Sequence, residues 1–420
     1  MFRRHYAWWV LLVAAAAMVG SLPGRTQGLG LVTEALLADM RIDRVSYAAL
    51  NFWATLIGSA GALGIGYAID RSGSRAVLTA VLLALGSVVC FMSVARSYAA
   101  LAVWITLTRA LGQSALSVAS LAIVGHWFVR RIDAAMAVYS VVISVGFMAA
   151  FPLVGASVQA WGWRAAWMGI GVAILAGLAP LAFLVVRRSP ESIGLSPDGE
   201  PAPRTAADGE PPAGYTWTAA LSMPSFWIFA VGTALYGLVA SGIGLFNESI
   251  LAERGFGPDV YYQTLAVTAM TALAGNFLGG WLSARVPLGR LMAASQFILA
   301  AGVFALPFVS TLVHVMAWAT AMGLGGGLVM VLFFSVWGRV FGRLHLGRIQ
   351  GAAQALTVIA SAIGPLLLAW CLAWTGSYAA VFRILAAVIA GVAVLALVVS
   401  LPDAPPAYGR TIASTGDATS

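Results

Sequence analysis

Stretches of about 20 apolar residues recur along this chain, separated by short turns that carry arginine, and this recurrence limits the available folds more than any other feature. A helix needs roughly 20 such residues to cross a hydrocarbon core about 30 Å thick. Twelve stretches can be placed, at 7–33, 46–69, 76–95, 99–124, 134–159, 165–187, 224–250, 260–284, 289–310, 314–337, 349–372 and 378–401. With 61% hydrophobic and 9% charged residues and a mean hydropathy of +0.92, the chain cannot present the surface of a water-soluble domain. A transmembrane β-barrel would show short segments of alternating polarity. These runs are instead continuous and rich in Ala, Leu, Val and Gly. The expectation is an all-α integral membrane protein with twelve transmembrane helices.

Trp8 to Gly20 follows Arg3 and Arg4 as the core of a secretory leader would, but the apolar run continues and no A-x-A site precedes a soluble domain. It therefore reads as a first, retained helix. Cys90 and Cys371 fall inside spans in different halves and suggest neither a disulfide framework nor a metal motif. His5, His126, His314 and His345 are scattered near span ends without ligand spacing. No cofactor and no metal are expected.

All 23 basic residues are arginines and the formal charge is +8. If the N-terminus is cytoplasmic, fifteen arginines (3, 4, 71, 75, 130, 131, 187, 188, 204, 285, 290, 339, 343, 348 and 410) lie on that side, against about six near the opposite face. This is the positive-inside bias, and it predicts an inner-membrane protein with both termini cytoplasmic. The basic character then reports topology and contact with anionic lipid, and nucleic-acid binding is not expected.

An internal repeat appears at an offset near 214 residues. Gly28-Leu29-Gly30-Leu31-Val32-Thr33-Glu34 aligns with Gly242-Ile243-Gly244-Leu245-Phe246-Asn247-Glu248, Tyr47 with Tyr261, Gly61 with Gly275, Gly66 with Gly280 and Arg71 with Arg285. At 213, Phe128 meets Phe341, Arg130 meets Arg343, Pro152 meets Pro365 and Trp161 meets Trp374. The order of charged, aromatic and proline positions carries the argument, since Gly and Leu match easily by chance. Between the copies, a segment rich in Pro, Gly, Glu and Asp cannot bury a core and reads as a linker. The predicted organisation is a six-helix bundle at 1–187, a cytoplasmic linker at 188–223, a second six-helix bundle at 224–401 and a disordered cytoplasmic tail at 402–420. Each half has an even number of spans, so the two halves run in parallel.

The turn between spans 2 and 3 reads Gly66-Tyr67-Ala68-Ile69-Asp70-Arg71-Ser72-Gly73-Ser74-Arg75, which closely resembles the major facilitator signature G-x-x-x-D-R-x-G-x-R. Glycines there permit close helix approach and positive φ, and Asp70 can accept charge-assisted hydrogen bonds from arginines such as Arg71 and Arg75. Such a cluster can latch one side of the protein; the competing role is a solvated, topology-setting turn. The second-half copy keeps Arg285 but has Ala284 where the aspartate would be. The resemblance implies the major facilitator fold of two pseudo-symmetric six-helix bundles, with the solute site at their interface near the midplane.

Leu22-Pro23-Gly24-Arg25-Thr26, His126-Trp127-Phe128-Val129-Arg130-Arg131, Gly162-Trp163-Arg164-Ala165-Ala166-Trp167 and Phe341-Gly342-Arg343-Leu344-His345-Leu346-Gly347-Arg348 look like bacterial relatives of the monocarboxylate and oxalate/formate transporters within that superfamily. Arg188-Ser189-Pro190-Glu191 resembles their central linker. In monocarboxylate transporters a basic residue follows the span 1 proline and faces the cavity, and the resemblance implies that role for Arg25, displaced by one position. Spans 8 and 11 carry no Lys or Arg where such relatives often place one, which points away from a two-cation dicarboxylate site.

Apart from any family, an ionisable side chain inside a span is costly and marks function by default. Two arginines qualify: Arg25 in span 1 and Arg109, about 15 Å deep in span 4. Their planar forks suit bidentate carboxylate recognition. The competing role is to tie down backbone carbonyls near Gly24 and Gly112. Glu34 and Glu248, related by the repeat, stand where a carboxylate could shuttle a proton or close an outer gate, or simply be hydrated. Gln27, Asn51, Gln113, Tyr236, Asn247, Asn276 and Gln354 are the neutral polar candidates for the cavity, each of which could equally bond between helices.

No Walker motif occurs, and no nucleophile–base or metal constellation stands at membrane depth, so neither ATP-driven transport nor an enzyme is supported. The expected function is secondary transport of a small organic anion, a monocarboxylate, by alternating access with a proton or counter-solute, in a monomer. Efflux of amphipathic compounds is the alternative within transport, and a solute sensor derived from a transporter is the alternative from another class.

Overall fold

The computed structural model describes residues 2–60, 65–128, 131–193, 195, 214–342 and 346–402, with side chains left aside at 2–5, 66, 67, 70, 132, 133, 191, 334 and 346–348. The Asp70 side chain, Arg343 to His345 of the second-half motif with the side chains of Leu346 and Arg348, most of the expected linker and nearly all of the expected tail therefore lie outside the described residues.

The described residues are helical throughout, apart from turns and one isolated antiparallel bridge between Gly214 and Gly342. Ten stretches among them are long and apolar enough to cross a membrane. One of these, Ala134–Val185, is 52 residues long and is broken at Gly162, whose φ of 78° and ψ of 161° no helix tolerates. The second predicted span is not among the ten and is described as two pieces, Arg44–Ser59 and Ile65–Ser72. The architecture is thus all-α and consistent with twelve crossings.

The chain divides into two compact units. The first comprises Met1–Pro203, Ser241–Met270 and Ala362–Ser377. It opens with α1 (Phe2–Gly20), which stops where Pro23 cannot donate a backbone hydrogen bond; a 3-10 turn at Leu22–Gly24 follows, and Arg25 is extended (φ −90°, ψ 153°). The chain resumes as α2 (Thr26–Gly30) and α3 (Thr33–Met40), then turns at Arg41 in the left-handed region (φ 53°). Span 1 is therefore a discontinuous helix, where the apolar run over 7–33 predicts a single one.

Asp43 starts α4 (Arg44–Ser59) by accepting the Ser46 amide at 2.9 Å, an N-cap bond that holds its carboxyl below the usual aspartate value. Then come α5 (Ile65–Ser72), a turn at Gly73 (φ 82°), α6 (Ser74–Ser93) and α7 (Tyr98–Thr108). Span 4 continues through a π-helical stretch, Arg109–Leu116, into α8 (Ser117–Trp127). Spans 5 and 6 are α9 (Ile132–Ala173), a second π turn at Ile174–Leu178 and α10 (Ala179–Val185).

The second unit comprises Arg204–Ala240, Thr271–Ser361 and Tyr378–Ser420. A short helix, α11 (Trp217–Ser222), forms where composition predicts linker, because Thr216 caps it by accepting the Ala219 amide. The long helices are α12 (Pro224–Ala252), α13 (Pro258–Ser283), α14 (Leu288–Ala305), α15 (Leu312–Val340), α16 (Leu346–Thr375) and α17 (Ala379–Val398); α12, α13 and α16 contribute to both units. Phe226, Phe229, Met292, Leu332, Trp337 and Phe341 form its buried core.

Helix association in a membrane favours small residues that let backbones meet. A Cβ on Gly275 would lie 2.6 Å from the Leu324 carbonyl oxygen, and one on Gly171 2.9 Å from that of Gly86. The repeat is visible in the backbone as well. Gly162 and Gly376, 214 apart, share positive φ (78° and 72°), and their neighbours Trp161 and Trp374 are 73% and 80% exposed, as residues of an interfacial aromatic belt would be.

Candidate functional site

Arg109 is 1% exposed, at the start of the π-helical stretch of span 4. π-Bulges concentrate at functional sites, because the extra residue turns side chains away from their regular helical direction. The guanidinium is held by three neutral acceptors from three spans. One nitrogen, Nη1, donates to Thr26 Oγ1 and to Gln113 Oε1, both at 2.7 Å, and Nη2 donates to Asn51 Oδ1 at 2.8 Å. Asn51 is oriented in turn by donating to the Tyr47 carbonyl at 3.0 Å. The Nε of Arg109 is buried and makes no hydrogen bond, and the buried hydroxyl of Tyr47 faces Thr33 and Asn51. Glycines bring these helices together: a Cβ on Gly24 would stand 2.2 Å from the Thr108 carbonyl oxygen, and one on Gly58 2.7 Å from the Arg109 Cβ.

Arg25, at the break in span 1, is only partly buried. Its Nε donates to Ser21 Oγ at 2.7 Å, its Nη2 to Ser117 Oγ at 3.0 Å and to the Met18 sulfur at 2.8 Å, and its charge lies 5.4 Å from the Phe147 ring centre. Phe147 stacks on Phe151 at 5.6 Å. Among the described residues neither Arg25 nor Arg109 has a carboxylate within ion-pairing distance. Two cations thus stand within apolar helices with no acidic partner among the described residues, solvated by hydroxyls, amides, a thioether and a π face. Neither is tied to a backbone carbonyl, the competing role considered from sequence.

The two glutamates paired by the repeat meet in the first unit. Glu34, in the first turn of α3, forms a bidentate ion pair with Arg44 (2.5 and 2.6 Å), and Arg44 lies 5.8 Å from the Phe246 ring centre. Glu248 is half-buried within electrostatic reach of both Glu34 and Arg44. The chains cross there at backbone contact: a Cβ on Gly30 would fall 2.0 Å from the Gly244 carbonyl oxygen, and Gln27 packs against Gly244. Arg44 was not legible as a site residue, since it stands in a turn among other arginines.

The other candidates are dispersed. Asn247 is buried and donates to Thr264 Oγ1 at 3.2 Å, which makes it a bond within its own unit. In the second unit Tyr236 packs on Gly326, Asn276 keeps a buried, unpaired Oδ1, and Gln354 is exposed. At the signature turn, Arg75 lies over Phe183 at 3.8 Å, and the Arg71 carbonyl accepts Arg188 Nη2 at 3.4 Å. Gly73 is covered by Arg188, so a side chain there would clash as well as strain its positive φ.

Sequence reasoning also left Arg164 without a role beyond its motif. It donates to the carbonyls of Ser93 (2.8 Å) and Ala95 (2.7 Å) and pairs with Asp39 at 2.9 Å, to which Trp163 Nε1 donates at 3.1 Å. It pins the ends of three spans. The Gly162-Trp163-Arg164 triplet could have signalled this, since a positive-φ glycine ahead of an aromatic–Arg pair marks a turn with donors at its rim.

Comparison with known proteins agrees with this architecture. The solved structures of a bacterial homolog of the human lysosomal transporter Spinster match in its inward-facing occupied form (16% identity, TM-score 0.73, 94% of this chain and 98% of the other) and its inward-facing unoccupied form (16%, 0.70, 93% and 95%). At that identity the likeness speaks to fold. No curated protein sequence matches significantly. The sequence model of the Major Facilitator Superfamily matches residues 5–257 and 229–418, which together take in nearly the whole chain. With its apolar helices, its internal repeat and its signature turn, this chain belongs to the Major Facilitator Superfamily.

Proposed function

We propose that this member of a transporter superfamily carries a small organic anion, a monocarboxylate, by alternating access, driven by a proton or an exchanged solute. The supporting observation is the pair of arginines without carboxylates. A cation kept at membrane depth with only neutral partners is stabilised most by an anionic guest. Arg109 is enclosed and holds Thr26 and Asn51 beside the break in span 1. Arg25 is the contact for the solute carboxylate, because it is the less buried of the two and Phe147, stacked on Phe151, lies beside its charge as an apolar surface for the alkyl part. On the orientation expected from the arginine bias, the turn carrying Asp43 faces outward.

Uptake of radiolabelled short monocarboxylates by proteoliposomes tests this. Arg25→Gln should lower uptake at least about tenfold, the loss of one charge-assisted contact, while the purified variant unfolds near the wild-type temperature. Wild-type uptake by Arg25→Gln, or wild-type protein indifferent to every carboxylate, would sink the proposal.

A further inference from the structure

We propose that Glu34, Arg44 and Glu248 form a proton-binding site, and that the proton it holds keeps the outward ends of α2 and α12 together. This deepens the proposed transport cycle by naming the ion that controls closure. Two carboxylates share one guanidinium. Arg44 donates twice to Glu34, while among the described residues the Glu248 carboxylate makes no hydrogen bond or ion pair of its own. The repeat supplies no second cation, because Pro258 occupies the position matching Arg44.

Among the described residues, four charged or titratable groups lie within electrostatic reach of Glu248. From α3 comes Glu34, from α4 Arg44, and from α13 Tyr261 and Tyr262; α16 meets α12 through Gly364 and Leu368 against Gly242 and adds no charge. Tyr261 supplies a second, independent sign. Its side chain is fully buried and its hydroxyl has no partner, yet that hydroxyl lies 3.2 Å from where a Gly30 Cβ would be, at the Gly30–Gly244 contact. A polar group buried there without a partner is costly unless a partner arrives in another state.

With Glu248 protonated the cluster is neutral, and Gly30 can lie against the Gly244 carbonyl. With Glu248 ionised it carries one net negative charge, and the second carboxylate repels Glu34 and competes for Arg44. The step is a proton passing from a hydronium ion in external water to a Glu248 carboxylate oxygen: one O–H bond breaks on the hydronium, which is left as water, and one O–H bond forms on the carboxyl group.

The test uses the full-length chain in lipid nanodiscs, with Cys90→Ser and Cys371→Ser and spin labels on Ala38→Cys and Ala252→Cys, both exposed positions. The label separation should lengthen as pH rises from acid to mildly alkaline. In E248Q it should stay short at every pH. E34Q should also lose the pH response, since one carboxylate then remains for one arginine, and it carries the test if E248Q does not fold. A pH-independent wild type, or an E248Q protein that still responds as wild type does, overturns the proposal. The separation is read without solute. A wild type that responds to pH but carries no carboxylate therefore overturns the proposed substrate alone, and carboxylate uptake through Arg25 with fixed separation overturns the proton site alone.

Discussion

The two halves repeat one another in backbone and differ in where they bury polarity. In the first half, Thr26, Asn51, Arg109 and Gln113 form a single hydrogen-bonded cluster. At an offset of 214 the same positions are Ala240, Leu265, Gly323 and Gly327. Span 4 adopts a π-helical stretch around its arginine, while its counterpart α15 runs as regular helix from Leu312 to Val340 through Gly323-Leu324-Gly325-Gly326-Gly327. Span 1 breaks at Pro23 and Gly24, whereas α12, with Gly237 and Leu238 there, stays helical. The later kink survives in both copies: Val32 has φ −117° and ψ −1°, Phe246 φ −117° and ψ 16°. The two copies thus share the later kink, while the break, the π-helical stretch and the buried charge belong to the first alone.

The sharpest way to break this comparison is Arg109→Ala. It strands the acceptors of Thr26, Asn51 and Gln113, at about 1–3 kcal/mol for each buried group left unsatisfied, so thermal unfolding in detergent should drop well below wild type and uptake should vanish. An Arg109→Ala protein as stable as wild type would mean that the cluster is incidental.

Next in size is Gly24→Ala, whose methyl group would meet the Thr108 carbonyl at 2.2 Å. Overpacking of this kind costs about 1–3 kcal/mol. Gly125→Ala, with nothing within 4 Å, serves as the control and should be neutral or slightly stabilising. A smaller loss is expected of Arg164→Ala, which removes the ties to Ser93, Ala95 and Asp39: about 1–2 kcal/mol by the same unfolding measurement, reduced by its partial exposure. Smallest is Asp43→Ala, an exposed cap worth about 1 kcal/mol, read as a lower melting temperature. The Asp43 carboxyl is held below its usual value, so its contribution is present above the unfolded aspartate value and fades as pH falls through the lowered one.

Much of this was legible in the sequence. Hydropathy placed the helices, the repeat located its own partners, and the cost of charge in lipid singled out Arg25 and Arg109. The break in span 1 was hidden, because an apolar run reads the same whether or not Pro23 and Gly24 interrupt its hydrogen bonds. The pairing of Glu34 was hidden too. Its partner, Arg44, stands ten residues on across a turn, among other arginines.

The sequence by itself therefore determined what each segment can be, since burial in lipid and helix period act locally on every residue. Only the tertiary structure decided which charges are compensated. Thr26 and Asn51 reach Arg109 across 83 and 58 residues of chain. Such contacts depend on glycine-lined crossings between helices, which no periodicity along the chain encodes.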